Sequence, residues 1–496
     1  MGLKFLLPLK LLRYSYIYCY LEVWGLLLAL SWVRFMKLRR KLAVNKCNSR
    51  IGKNLVEYMN LVSNVKARIE RYKKNILFKR LFTVLSIDIL VKVSGLILLP
   101  VYLRLMTQEE YGLYGYLLSI IMTFSIVLNF GLYIPLSKFY HDYQDAEKRG
   151  KLLFTISLLL VIMLASIIFP VYFFGWDYEL IKILFKNPVD YKEYRGAVLI
   201  AIIVSVFSFM LTSFFFTSEK LKHLKRYNIF RIIFINVGTV FFLYLFRNID
   251  SVRIRLQTTY IIELILFVFF YYYYIKEVWF KFNKKAAITG LKLGLPVMVS
   301  ALFGIGINFS DKFFLEKYSS FKDLSYYYLA VSLASAIPLI FASLQNAWLP
   351  LFLKEKDIQK NIETTNKLMH RLVIGFLILS VIIVVGFKII LKLGIIQSKY
   401  SETIGILPLL LISQIISSLV SLHTNYLIYF ERTHIASITG LILCIISVGL
   451  SLLLIPRYKV YGAVTVSLIS NIIYLGLYYF IIKMLKKKYL RLNTHV

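Results

Sequence analysis

"LKLGLPVMVSALFGIGINFSDKFFLEKY", residues 291–318, is apolar enough and long enough to cross a bilayer as a helix, since a hydrocarbon core of about 30 Å takes about 20 apolar residues. Yet two adjacent charges, Asp311 and Lys312, stand near its end. At helical spacing Gly304, Asn308, Asp311 and Lys312 fall on one stripe, at i, i+4, i+7 and i+8. A helix surrounded by lipid gains nothing from such a stripe, and an ionisable group at membrane depth costs at least about 2.5–3.5 kcal/mol. Two readings follow. Either the stripe faces a polar cavity, or the pair sits at the membrane surface and snorkels outward with Glu316 and Lys317.

The rest of the chain agrees that lipid is the solvent. Of 496 residues, 59% are hydrophobic and the mean hydropathy is +0.70, above the share of about 45–50% found in water-soluble domains. From residue 83 onward, apolar runs lie near 83–103, 112–135, 152–174, 196–217, 229–246, 257–275, 293–316, 325–347, 371–393, 403–428, 435–455 and 462–482. The fold class is therefore an all-α polytopic membrane protein of about 12 transmembrane helices. Tyrosine groups such as 271–274 and 326–328 fall near ends of these runs, as interfacial anchors do.

The formal charge is +35, which in a soluble protein would suggest nucleic acid. Here Lys and Arg sit mainly in short connections, where they set topology, and no nucleic-acid partner is needed. One alternate set of connections, including "SKFYHDYQDAEKRGK", "SEKLKHLKRYN", "KEVWFKFNKKAAITGLK" and the tail "KMLKKKYLRLNTHV", holds about twice the Lys and Arg of the other. That set is assigned to the cytoplasm, with both ends of the twelve-helix unit. The largest outer connection, "GWDYELIKILFKNPVDYKEYR", leaves little room for a folded external domain. Cys19, Cys47 and Cys444 are too scattered for a metal site or a disulfide framework.

A weak internal repeat aligns "GLYGYLLSI" (112–120) with "SYYYLAVSL" (325–333), matching Tyr114 with Tyr327 and Ser119 with Ser332. It divides the chain into a six-helix bundle over 76–290 and a second over 291–496, which ends in the basic tail. Residues 1–75 fit neither bundle. "YSYIYCYLEVWGLLLALSWVRF" reads as a further anchor helix and the run behind it as a basic arm, and a start at Met59 would leave the twelve-helix unit intact.

Further charges lie inside apolar runs. In helix 1 Asp88 and Lys92 are one turn apart and can pair across a cavity-facing surface. Arg104 at the outer end of helix 1, and Arg231 with Asn236 in helix 5, read as end caps. Glu263 in helix 6 and His423 in helix 10 read as groups bonded to neighbouring helices. Lys388 snorkels. Pro296 and Gly304 make helix 7 the candidate bending gate.

Two stretches carry a resemblance. "LILLPVYLRLMTQEEYGLYGYLLSI" resembles the first helix pair of Wzx-type polysaccharide (oligosaccharide-lipid) flippases. "LKLGLPVMVSALFGIGINFSDKFFLEKY" followed by "LSYYYLAVSLASAIPLIFASLQNAWLPLF" resembles their seventh and eighth helices. The resemblance spans roughly residues 76 to 486. It implies the multidrug/oligosaccharidyl-lipid/polysaccharide exporter superfamily, with two pseudo-symmetric bundles around a central cavity. Such proteins move undecaprenyl-diphosphate-linked oligosaccharides across the bacterial cytoplasmic (inner) membrane for O-antigen, capsule or exopolysaccharide synthesis. The implied coupling is to a proton or sodium gradient, with no bound cofactor and no metal, and the implied partners are a polysaccharide polymerase, glycosyltransferases and membrane lipids. The family often has Asp-Arg where this chain has Asp311-Lys312, and lysine lacks the bidentate fork.

On this reading Lys92, Arg104 and Lys312 face the cavity as contacts for the diphosphate, while Asp88 and Asp311 hold the lysines or take part in ion coupling. A drug/cation antiporter of the same superfamily would share the fold and use Asp88 as its ion-binding carboxylate. A lipid II-type flippase would differ chiefly in cargo. A membrane glycosyltransferase or polymerase is disfavoured, because there is no DxD motif and no outer connection large enough for a catalytic domain.

Overall fold

In hydrocarbon every backbone N–H and C=O must find its partner within the chain, and the described residues meet that demand with helices and no strand. The computed structural model describes residues 94–493 except 144, 248, 356, 431 and 433. The extension over 1–75, with Asp88 and Lys92, lies outside the described residues.

Helix α1 (Ser94–Leu105) is the described end of helix 1, and α2 (Gln108–Leu128) follows after a two-residue turn. That turn is fixed by a capping box. Glu110 N–H donates to Thr107 Oγ1 at 3.2 Å and Thr107 N–H to Glu110 Oε2 at 2.7 Å, satisfying two donors that a helix start leaves free. Chain order continues with α3 (Tyr133–Asp142), α4 (Ala146–Phe173), α5 (Trp176–Leu184), α6 (Tyr191–Thr217), α7 (Leu221–Leu245) and α8 (Ser251–Ile275). The second half holds α9 (Lys284–Tyr318), α10 (Phe321–Ala334), α11 (Ala336–Lys354), α12 (Ile358–Lys392), α13 (Thr403–Tyr429) and α14 (His434–Asn493).

Ten helical spans among the described residues are long and apolar enough to cross a membrane. One of them, α14, breaks at Lys459, whose φ is 48°. The Thr439 hydroxyl meets the Tyr478 hydroxyl at 3.4 Å, so the two limbs run back along each other and count as two spans. With α1, the described part of helix 1, the described residues carry twelve apolar helical segments in the expected order. Three details differ from the sequence reading. The run at 112–135 ends early, because Phe130 and Gly131 take left-handed φ values of 52° and 66° and α3 starts afresh. The long outer connection contains α5. Helix 8 is also interrupted at Ser335, where Pro338 offers no N–H to the carbonyl of Ala334.

The repeat recurs in the caps. Ser320 and Asp323 form a second capping box at the start of α10. The offset from Thr107 is 320 − 107 = 213, the same as from Tyr114 to Tyr327 (327 − 114 = 213). The two repeat-related helices α2 and α10 pack together. A Cβ at Gly115 would lie 2.6 Å from the ring of Tyr328, and one at Gly112 would strike the carbonyl of Phe321.

Helix α9 belongs to both halves. Its first turns rest on α3 and α4, its later turns on α14, and it also touches α2. A Cβ on Gly294 would lie 2.7 Å from the carbonyl of Phe130, so only glycine admits this approach. Gly304, by contrast, has no heavy atom within 4 Å of where its Cβ would be, and α9 stays helical through Pro296. Replacing Gly294 with Val should therefore lower stability by about 1–3 kcal/mol. Gly304→Ala should leave it unchanged or raise it by up to about 1 kcal/mol. Thermal unfolding of the purified protein in detergent checks both.

Candidate functional site

The alternate connections define two ends of the bundle: a basic end, holding α3 and the start of α9, and a far end, holding α5 and the end of α9. Between α2, α6, α7, α8 and α9, toward the basic end, lies a cavity of about 510 Å³. Its charged lining residues, among those described, are Arg231 of α7 and Glu263 of α8.

These two form an ion pair. Arg231 Nη2 donates to Glu263 Oε2 at 3.0 Å, and Oε1 lies 2.9 Å away but off the N–H direction, so one hydrogen bond and one close charge contact hold the pair. The Glu263 side chain is 1% exposed and that of Arg231 is 38% exposed. The carboxylate is thus hidden behind the guanidinium, which opens on the cavity. The rest of the lining is rich in hydroxyls and one amide: Ser125, Asn129, Tyr133, Ser205, Ser208, Thr212 and Tyr260. Ser125 Oγ donates to Ile121 O at 2.6 Å, Thr212 Oγ1 to Phe209 O at 2.9 Å, and Tyr227 donates to Ser208 at 3.0 Å. Tyr133 and Phe209 meet edge to face at 5.2 Å.

In sequence Arg231 reads as a cap and Glu263 as a lone polar group. The signal that joins them is depth. Arg231 lies ten residues from the basic end of α7 (231 − 221) and Glu263 twelve from that of α8 (275 − 263), so at 1.5 Å per residue their levels differ by about 3 Å. Neighbouring antiparallel helices then bring the charges together.

The other candidate residues lie elsewhere. Arg104 donates through Nε to Ile395 O at 3.1 Å and through Nη2 to Gly394 O at 2.8 Å, tying α1 to the connection after α12. Gln108 adds a bond to Lys399 O at 2.8 Å. Lys312 Nζ reaches Asn308 O at 2.5 Å and Asp311 Oδ1 at 3.0 Å, and Asp311 also accepts from the Tyr327 hydroxyl of α10. Asp311 and Lys312 are thus mostly buried in the α9–α10 contact, near the far end, and neither they nor Arg104 line the cavity. Pro296 directly precedes the lining residues Val297 and Met298.

Glu316 differs most from its expected surface position. It is fully buried, and its carboxylate accepts from Lys186 N–H at 2.8 Å, Asn187 N–H at 2.9 Å and Asn187 Nδ2 at 3.1 Å. The segment after α5 folds over it and joins the two halves at the far end. Nearby, Arg255 is stacked between the rings of Tyr102 and Tyr114, 3.7 and 3.9 Å from their centroids. A second cavity, of about 700 Å³, lies between α12, α13 and α14 and includes His370 and His423. His423 Nδ1 is 2.8 Å from Leu419 O of its own helix. No group of three or more potential metal ligands occurs among the described residues.

A bundle of long apolar helices enclosing a polar, ion-paired cavity defines a multi-pass membrane protein with a flippase-like transporter fold. The chain belongs to the family of polysaccharide biosynthesis proteins, which it matches over residues 77–356. Its fold is that of the lipid II flippase MurJ in an inward closed conformation (TM-score 0.63, 16% identity, 80% of this chain and 87% of that one). It is also similar to an inward-facing multidrug resistance MATE transporter of the MOP superfamily (0.57, 14%, 82% and 95%) and to a MOP superfamily transporter from Pyrococcus furiosus (0.55, 12%, 82% and 95%). No curated protein matches it in sequence. The similar structures are of a flippase and of transporters.

Removing one member of a buried ion pair strands the other. Arg231→Ala should cost about 3–5 kcal/mol, whereas the double substitution R231M with E263L should recover most of it; thermal unfolding reads both. Glu316→Ala leaves the amides of Lys186 and Asn187 without their acceptor, at about 1–3 kcal/mol. Faster hydrogen exchange at 186–187 is the expected signature.

Proposed function

We propose that this protein flips undecaprenyl-diphosphate-linked oligosaccharides across the bacterial cytoplasmic membrane by alternating access, supplying glycan for the cell surface. The observation that supports this most is the polar cavity within the first half, with a guanidinium turned toward it, in a chain of the polysaccharide biosynthesis family. Sugars and phosphates are insoluble in hydrocarbon unless their hydrogen bonds and charges are met. A polar cavity meets the hydrogen bonds of the sugars while the polyprenyl chain stays in lipid beside the helices.

The basic end is cytoplasmic on the positive-inside rule, so the cavity stands at the loading side while Arg104, Gln108 and Glu316 hold the far end closed. Opening the far end releases Arg104 from the carbonyls of residues 394 and 395. Arg104, Lys312 and, from helix 1, Lys92 then serve the diphosphate, with Asp88 and Asp311 as counter-charges or coupling groups for a proton or sodium gradient. Pro296 and Gly304 give α9 its bend. Handing the glycan to a polymerase, after glycosyltransferases have built it, completes the role.

The test is surface glycan display in cells lacking their own copy. Deletion should trap lipid-linked oligosaccharide on the cytoplasmic leaflet. Wild type should restore display, while Lys312→Ala and Lys92→Ala, at normal membrane levels, should lower it by about 10- to 100-fold, the equivalent of a lost charged hydrogen bond. Intact surface glycan with altered drug tolerance would replace this reading with a drug/cation antiporter.

A further inference from the structure

We infer that the cavity of the first half is a saccharide subsite, which takes neutral sugar residues of the cargo and leaves the diphosphate outside. The inference deepens the flippase reading and rests on it for the identity of the cargo.

Charge is the first argument. Arg231 and Glu263 cancel, and the described lining adds no other charge. A phosphate approaching the exposed guanidinium meets a carboxylate 2.9 to 3.0 Å behind it, within a protein interior that screens like charges less than bulk water does. A hydroxyl approaching the same guanidinium meets no such repulsion.

Hydrogen-bond polarity is the second. Ser125 and Thr212 donate their protons to carbonyls of their own helices, so what they offer the cavity is oxygen lone pairs. Diphosphate oxygens are acceptors and gain nothing from these two hydroxyls. A sugar hydroxyl both donates and accepts, so it can give a proton to Ser125 or Thr212 and take one from Arg231. Asn129 uses Oδ1 to accept from Gly131 N–H at 2.8 Å, which leaves its amide protons for an acceptor.

Shape is the third. Tyr133 and Phe209 stand at 84° to each other, forming an aromatic corner against which the C–H face of a pyranose can lie. The cavity volume of about 510 Å³ is in the range of small-molecule sites.

The experiment is saturation-transfer NMR on the full-length protein in nanodiscs, with chitobiose, lactose and cellobiose as neutral probes and inorganic pyrophosphate as the anionic one. At least one disaccharide should show saturable transfer that pyrophosphate does not displace. Phe209→Ala should weaken it at least tenfold, and Thr212→Val, a near-isosteric loss of one acceptor, should weaken it severalfold in a protein of unchanged thermal midpoint. A flat response to all three sugars overturns the inference, as does displacement of the sugar by pyrophosphate that is lost in Arg231→Lys. Because binding is read on the protein itself, a failure here alongside trapped lipid-linked oligosaccharide in the deletion strain removes only the subsite. Altered drug tolerance in that strain would instead remove the flippase reading.

Discussion

A guanidinium in hydrocarbon must bring its counter-charge with it, and Arg231 and Glu263 do so from adjacent helices. Their contact fixes the register of α7 against α8, and the bond from Tyr227 to Ser208 fixes α7 against α6. With those three helices held, the cavity they enclose keeps its shape. The same demand is met differently elsewhere. Asp311 takes a phenol and the neighbouring lysine, while Glu316 takes backbone amides. Each solution joins different parts of the fold: the first organises one half, the second seals α9 to α10, and the third closes one half on the other.

Helix α9 is where these arrangements meet. Its basic-end turns are packed on the first half, its middle lines the cavity through Val297, Met298 and Ala301, and its later turns pack on α14. The close fit at Gly294 and the open space at Gly304 mark different packing along one helix. The former would not admit a side chain; the latter would.

The helical architecture was legible because hydrocarbon forces long apolar runs, and the capping boxes at Thr107 and Ser320 stand at the same offset as the weakly matched stretches that follow them. Helix ends were less legible, since the left-handed residues Phe130 and Gly131 cut one run short without any change in hydropathy. The site was legible only in part. Asp311 and Lys312 are visible as charges in a helix, but their partner Tyr327 lies across an interface that no local pattern reveals. Glu316 reads as a surface residue because its burial comes from a segment 130 positions away. Arg231 and Glu263 each stand out in the sequence without being paired by it, for the same reason: contact between helices depends on matched depth, not on sequence distance.

The concealed carboxylate of Glu263 has an electrical consequence. A lone arginine carried through the membrane field would exchange about 2.3 kcal/mol with every 100 mV of potential. Arg231 has its opposite charge only about 3 Å away, so the two form a small dipole on which the field would do almost no net work if they moved together. A joint displacement of α7 and α8 therefore leaves this pair electrically silent.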